Sequence, residues 1–215
     1  YGVIFDLVLY MGDKILGYKD GVLDKMFYFR HLCTFLLFFI STVFFFLIIK
    51  NRFNSWVIGL TGTLFLILSP RIFAESFYNG KDIVFLSFFV ITIYFFIRFL
   101  NSKTQANALL FAFASALMVD TRITGVFVPF LAVIMSFIDI IKSTSSPKGV
   151  FKGLIPLFTY LVYFSVLTVA FWPYLWESPL RNFIDAFLRM SKYPWPYNNL
   201  YMGTFIKASD LPWHY

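Results

Sequence analysis

The segment Ser69-Pro70-Arg71-Ile72-Phe73-Ala74-Glu75-Ser76-Phe77-Tyr78-Asn79-Gly80-Lys81-Asp82 sets two carboxylates and two cations beside aromatic residues. A carboxylate at the mouth of a helix bundle can contact a substrate or hold a divalent ion. Asp82 and Glu75 are therefore the candidate site acids. Asp82 directly precedes the apolar run Ile83-Val84-Phe85-Leu86, so it stands where a helix begins. A carboxylate there is also favoured by the helix dipole and the unpaired amides, which makes capping its plainer role. Arg122 lies in Met118-Val119-Asp120-Thr121-Arg122-Ile123-Thr124-Gly125, between two apolar runs with scarcely a loop. An ionisable group so near a bundle interior needs a partner or a function. Either it pairs with Asp120 or snorkels to headgroups, or it joins Lys81 and Arg71 in a site that cradles a phosphate or pyrophosphate.

Aromatic clusters follow at Trp172-Pro173-Tyr174-Leu175-Trp176-Glu177, Tyr193-Pro194-Trp195-Pro196-Tyr197 and Leu211-Pro212-Trp213-His214-Tyr215. Trp172, Trp176, Trp195, Trp213 and His214 are candidates for contact with a sugar or acceptor. An aromatic belt at the headgroup layer is the alternative. His31 and His214 share no metal-ligand spacing with Cys33 or an acid, which speaks against zinc. The single cysteine can form neither an internal disulfide nor a Cys cluster. There is no phosphate-binding P-loop, dinucleotide-binding glycine pattern or nucleophile elbow. The metal is left unassigned, with a divalent cation as a candidate cofactor.

The elements that must position these residues are helices in lipid. Of the 215 residues, 60% are hydrophobic and 13% are charged, and the mean hydropathy is +0.76. Soluble domains carry about 25% charged residues. Six apolar runs are long enough, or nearly so, to cross about 30 Å of hydrocarbon: 32–49, 56–68, 83–100, 106–119, 123–141 and 154–172. The second and fourth are short and need tilt, polar extensions or sheltering neighbours. The run at 35–49 is apolar on every face except Ser41 and Thr42, unlike the alternating strands of an outer-membrane barrel. The fold class is an all-α, polytopic transmembrane bundle with interfacial amphipathic helices.

The six runs occupy 32–172. Residues 1–31 carry too many charges for a clean span and suit short helices along the interface. In 173–215, Ser178-Pro179 is a helix start, and Leu180, Phe183, Ile184, Phe187 and Leu188 repeat at helical spacing. Neither end reads as a natural terminus: a first span is expected before Tyr1 and a further one after 215. The net charge of +7 does not indicate nucleic acid, because Lys and Arg sit between apolar runs rather than on one water-facing stripe.

Orientation follows from the positive-inside bias. Lys50, Arg52, Arg98, Lys103, Lys142, Lys148 and Lys152 share one side, against Arg71, Lys81 and Arg122 in the opposite short loops. That assigns the first set to the cytoplasm. The acids, the histidines and most of the Trp and Pro then face outward.

Pro70-Arg71, Ser76-Phe77-Tyr78-Asn79 and Lys81-Asp82 opening a span, with Arg122 a span later, resemble the dolichyl/undecaprenyl-phosphate sugar transferases. These are GT-C superfamily enzymes of the protein O-mannosyltransferase and aminoarabinose-transferase type. The tail, from Trp172 through Trp176-Glu177-Ser178-Pro179-Leu180 and Ser191-Lys192-Tyr193-Pro194-Trp195 to Asp210-Leu211-Pro212-Trp213-His214-Tyr215, is similar to a bacterial branch of that group. The resemblance implies a GT-C-like bundle in the bacterial cytoplasmic (inner) membrane and a role in the cell envelope. Its donor would be a polyprenyl-phosphate sugar, transferred to an acceptor on the non-cytoplasmic face. It equates Asp82 with the family's outer-loop acid and Arg122 with a basic position near the lipid phosphate. The implied mechanism makes Asp82 and Glu75 the catalytic acids, to deprotonate an acceptor hydroxyl or hold a divalent ion, with Arg122, Lys81 and Arg71 for the charge building on the phosphate. The family's principal acid precedes a Tyr-Gly like Tyr1-Gly2, and so is expected upstream of Tyr1; Asp6, the nearest acid present, does not match that motif. A secondary transporter, a lipid-linked-glycan flippase, polymerase or ligase, and a non-catalytic assembly subunit are the competing readings.

Overall fold

The computed structural model describes residues 3–18, 23–143, 146–192 and 197–213. The chain is helical almost throughout. It runs through α1 (Ile4–Ile15), α2 (Leu23–Phe53), α3 (Trp56–Ile67), α4 (Pro70–Glu75), α5 (Asp82–Asn101) and α6 (Gln105–Thr121). A 3-10 turn at Ile123–Val126 leads into α7 (Phe127–Ser143), followed by α8 (Pro147–Phe171) and α9 (Pro179–Ser191). A short antiparallel hairpin, β1 (Asn198–Tyr201) and β2 (Thr204–Lys207), pairs Asn198 with Lys207 and Tyr201 with Thr204.

All six apolar runs are helices. Among the described residues four segments are long and apolar enough to cross a membrane: Asp24–Phe53, Asp82–Asn101, Ile123–Ser143 and Pro147–Phe171. α3 and α6 are the short ones, at 12 and 17 residues; neighbours shelter α6, whereas α3 rests on α2 along one face and is otherwise exposed. α6 packs between α5 and α8. Its Ala108, Ala112 and Ala116 recur every fourth residue and are wholly buried. Small residues let membrane helices approach closely where no hydrophobic effect drives them together. Beside them Phe111 stacks on Tyr160 of α8 at 4.3 Å and lies against Phe96 and Phe99 of α5. α3 lies on α2 through glycines: a Cβ at Gly62 would come within 2.4 Å of Ile49. Bulky residues such as Phe65, Phe130 and Phe158 stay exposed on the outer surface of the bundle, where hydrocarbon is the solvent.

α2 begins at Leu23, well before the apolar run at 32. Its charged first turns do not break the helix, because its 31 residues at 1.5 Å each span about 46 Å, more than the hydrocarbon requires. In that projecting part Arg30 donates to the buried carboxylate of Asp13 at 2.9 Å, tying α1 to α2. The amphipathic helix expected after Ser178-Pro179 is α9. The hairpin has no counterpart among the elements expected from the sequence. Its turn residues Met202 and Gly203 both have positive φ, at 48° and 84°, the geometry of a two-residue hairpin turn usually filled by Asn-Gly.

Candidate functional site

Pro70 starts α4 at its first helical turn. One turn of helix then places Arg71 and Glu75 on the same side, and Arg71 Nε donates to Glu75 Oε1 at 2.9 Å. That carboxylate pushes the Arg71 guanidinium up from its ordinary value. Asn79 organises the start of α5. Its Oδ1 accepts the backbone N–H of Lys81 (3.1 Å) and of Asp82 (2.8 Å). Its Nδ2 donates to Glu75 Oε2 (3.0 Å) and to Asp82 Oδ2 (3.3 Å). An amide side chain thus caps α5 and draws both carboxylates toward one point. The capping role considered for Asp82 is carried by Asn79, which leaves the Asp82 carboxylate for a longer-range partner.

That partner is Arg122. Its Nη2 forms an ion pair with Asp82 Oδ1, across 40 positions of sequence. α6 ends at Thr121, and Arg122 adopts an extended backbone, φ −147° and ψ 126°, before the 3-10 turn. The turn is tight: a Cβ at Gly125 would meet the Met118 carbonyl oxygen at 3.2 Å. The guanidinium also lies 5.9 Å from the centre of the Phe85 ring. Its Nε is buried and has no hydrogen-bond acceptor among the described residues.

The Asp120–Arg122 pair weighed from the sequence does not form. Asp120 is on the last turn of α6 and turns toward α1, whereas Arg122 has already left the helix in an extended conformation. Asp120 is buried, and its Oδ2 accepts the backbone N–H of Ile4 at 3.1 Å. Its Oδ1 is buried without a donor among the described residues.

Beside these contacts lies a cleft of about 530 Å³. Phe5 and Asp6 of α1, residues 78–81 and the end of α6 at Asp120 and Thr121 line it. Asp82 and Arg122 each adjoin a lining residue in sequence. The structure therefore brings together Asp82, Glu75, Lys81, Arg71 and Arg122 at one end of the bundle. Lys81 lines the cleft, whereas Arg71 is turned outward and highly exposed. Among the described residues no three His, Cys, Asp or Glu side chains converge as a metal site.

The aromatic candidates are placed differently. Trp172 is buried with Ile123 and Leu175, with the ring of Phe183 of α9 edge-on at 6.2 Å. It packs immediately behind the turn that carries Arg122. Trp176 is exposed, and its indole N–H donates to the Val169 carbonyl at 2.8 Å. Trp213 is exposed at the far end of the described chain. Trp195, His214 and the Tyr1-Gly2 pair lie outside the described residues.

Sequence reasoning missed Asn79 as the organiser and Asp6 and Asp120 as lining residues. Asn79 stands four positions before the apolar run at 83, whereas a capping signal is read immediately before a run, so no local pattern marked it. Asp120 had no local signal either, since its surroundings depend on α1 packing against α6 from the other end of the sequence.

No curated protein and no solved structure matches this chain. A family model, that of dolichyl-phosphate-mannose-protein mannosyltransferase, matches residues 26–172, from the first turns of α2 to the Trp172 behind the Arg122 turn. The match covers more than half of the chain, which therefore belongs to this family of GT-C membrane glycosyltransferases working from polyprenyl-phosphate sugars.

Proposed function

We propose that the protein transfers a hexosyl or pentosyl unit from a polyprenyl-phosphate donor to an acceptor hydroxyl on the non-cytoplasmic face of a bacterial cytoplasmic membrane. The observation that carries this reading is the Asp82–Arg122 pair, held at one end of an apolar bundle beside a cleft of about 530 Å³. The bias of Lys and Arg toward the opposite loops supports an outward-facing site.

In the proposed reaction the acceptor oxygen forms a bond to the anomeric carbon. The bond from that carbon to the phosphate oxygen breaks, and polyprenyl phosphate leaves with the electron pair. Asp82, or Glu75 beside it, takes the hydroxyl proton. Arg122 receives the phosphate. Its unpartnered Nε supports this role, because a buried donor gains most from an acceptor that arrives with the substrate. Lys81 at the cleft wall and Arg71 behind it add positive potential as charge builds on the leaving group. Trp172 holds the Arg122 turn from the core side. Trp176, Trp195, Trp213 and His214 are proposed as outer contacts for the sugar or acceptor.

The test is transfer from a radiolabelled polyprenyl-phosphate sugar by membranes carrying the full-length protein. Asp82→Asn and Arg122→Ala are expected to abolish transfer while the protein still inserts into the membrane. Wild-type rates in both variants would overturn the assignment.

A further inference from the structure

The bundle holds a second polar cleft, of about 570 Å³, at the end away from Asp82. α5 carries it across the membrane. At 1.5 Å per residue Arg98 lies about 24 Å from Asp82, close to a full hydrocarbon thickness. Tyr94, Ile97, Arg98 and Asn101 line the cleft from one face of α5, at spacings of three and four. Ile48, Asn51 and Arg52 line it from the end of α2.

Its polarity is graded. Arg52, Arg98, Asn51 and Asn101 form the rim with Ile97 beside Arg98, while Ile48 and Tyr94 lie a turn deeper, toward the middle of the membrane. Neither arginine has an ion pair among the described residues, and no acid lines the cleft. The C-termini of α2 and α5 contribute roughly half a negative charge each. Together they offset about one of the two guanidinium charges, which leaves the rim about one positive charge in excess.

A monoanionic phosphodiester with an apolar body matches both the charge and the gradient. We infer that this cleft binds the phosphate headgroup of an anionic phospholipid from the leaflet opposite Asp82, with the start of an acyl chain on Ile48, Tyr94 and Ile97. The inference needs only that the bundle spans a bilayer and stands apart from the proposed transfer reaction. A free phosphate would use the rim and leave the apolar floor without a role.

The experiment is native mass spectrometry of the full-length protein in detergent, titrated with phosphatidylglycerol, with phosphatidylcholine and with inorganic phosphate. Phosphatidylglycerol is expected to be retained in preference to phosphatidylcholine and to resist competition by millimolar phosphate. In Arg52→Gln/Arg98→Gln its affinity is expected to fall at least about tenfold, the loss of charge-assisted hydrogen bonds. In Lys148→Gln, a charge at the same membrane edge but outside the cleft, it is expected to stay unchanged. Both arginines are exposed; should the double variant not elute as the wild type does, each single Gln variant is expected to show the tenfold loss. Equal retention in the Gln variants, an equal loss in Lys148→Gln, or displacement by inorganic phosphate would each overturn the inference.

Discussion

Arg122→Gln separates a structural role for the ion pair from a catalytic one. The Arg122 and Asp82 side chains are 32% and 44% exposed. A pair that open to solvent is screened and contributes about 0.5–1 kcal/mol to stability. The Phe85 ring at 5.9 Å adds about 0.5 kcal/mol at such a site. Losing both therefore costs roughly 1–1.5 kcal/mol of folding, since Gln keeps most of the packing. A donor aimed at charge that develops only in the transition state is worth far more, about 10²–10³ in rate or roughly 3–4 kcal/mol. Arg122→Gln is thus expected to unfold close to the wild type yet transfer sugar at least about a hundredfold more slowly in single-turnover measurements with labelled donor. Adding Asp82→Asn should cost little further, because residues acting as one unit are not additive. A rate loss under about tenfold in a folded variant, or a loss fully accounted for by unfolding, would refute the reasoning.

Two further outcomes rest on the packing. Asn79→Ala removes the cap of α5 and the amide linking Glu75 to Asp82. It is expected to lower stability by about 1 kcal/mol and to slow transfer, read by denaturation of the purified protein alongside the donor assay. Ala112→Leu forces a branched side chain into the wholly buried centre of α6, with an expected loss of about 1–3 kcal/mol seen in the same unfolding measurement. A stable Ala112→Leu variant would show that α6 is not close-packed between α5 and α8.

The helices were legible because apolar runs of membrane length leave few alternatives, and all six became helices in the order expected. Their ends were less legible. α2 extends to Leu23 because charges at the edge of a membrane helix sit in water rather than ending it. The hairpin at 198–207 escaped notice because Met202 occupies a turn position where Asn would have signalled it. The candidate site divides in the same way. Asp82 and Arg122 stand out one by one, each an ionisable residue at the edge of an apolar run. Alternation of the spans also puts them on one face. That they pair with each other, while Asp120 turns to the Ile4 amide, depends on how α5, α6 and α1 pack, and local pattern carries none of that.

Asp82 begins α5 and Arg122 follows the end of α6, so the pair is the open end of a helical hairpin whose closed end lies across the membrane. That closed end is pinned. Thr104 Oγ1 accepts the Asn107 N–H, Asn107 Nδ2 donates to the Ser102 carbonyl, and Lys103 pairs with Asp139 of α7. The hairpin works as a calliper, in which the gap between the tips is set at the hinge. One residue inserted at 102–104 would turn α6 by about 100° and carry Arg122 away from Asp82. The length of a small basic loop on one side of the bilayer is therefore part of the definition of the site on the other.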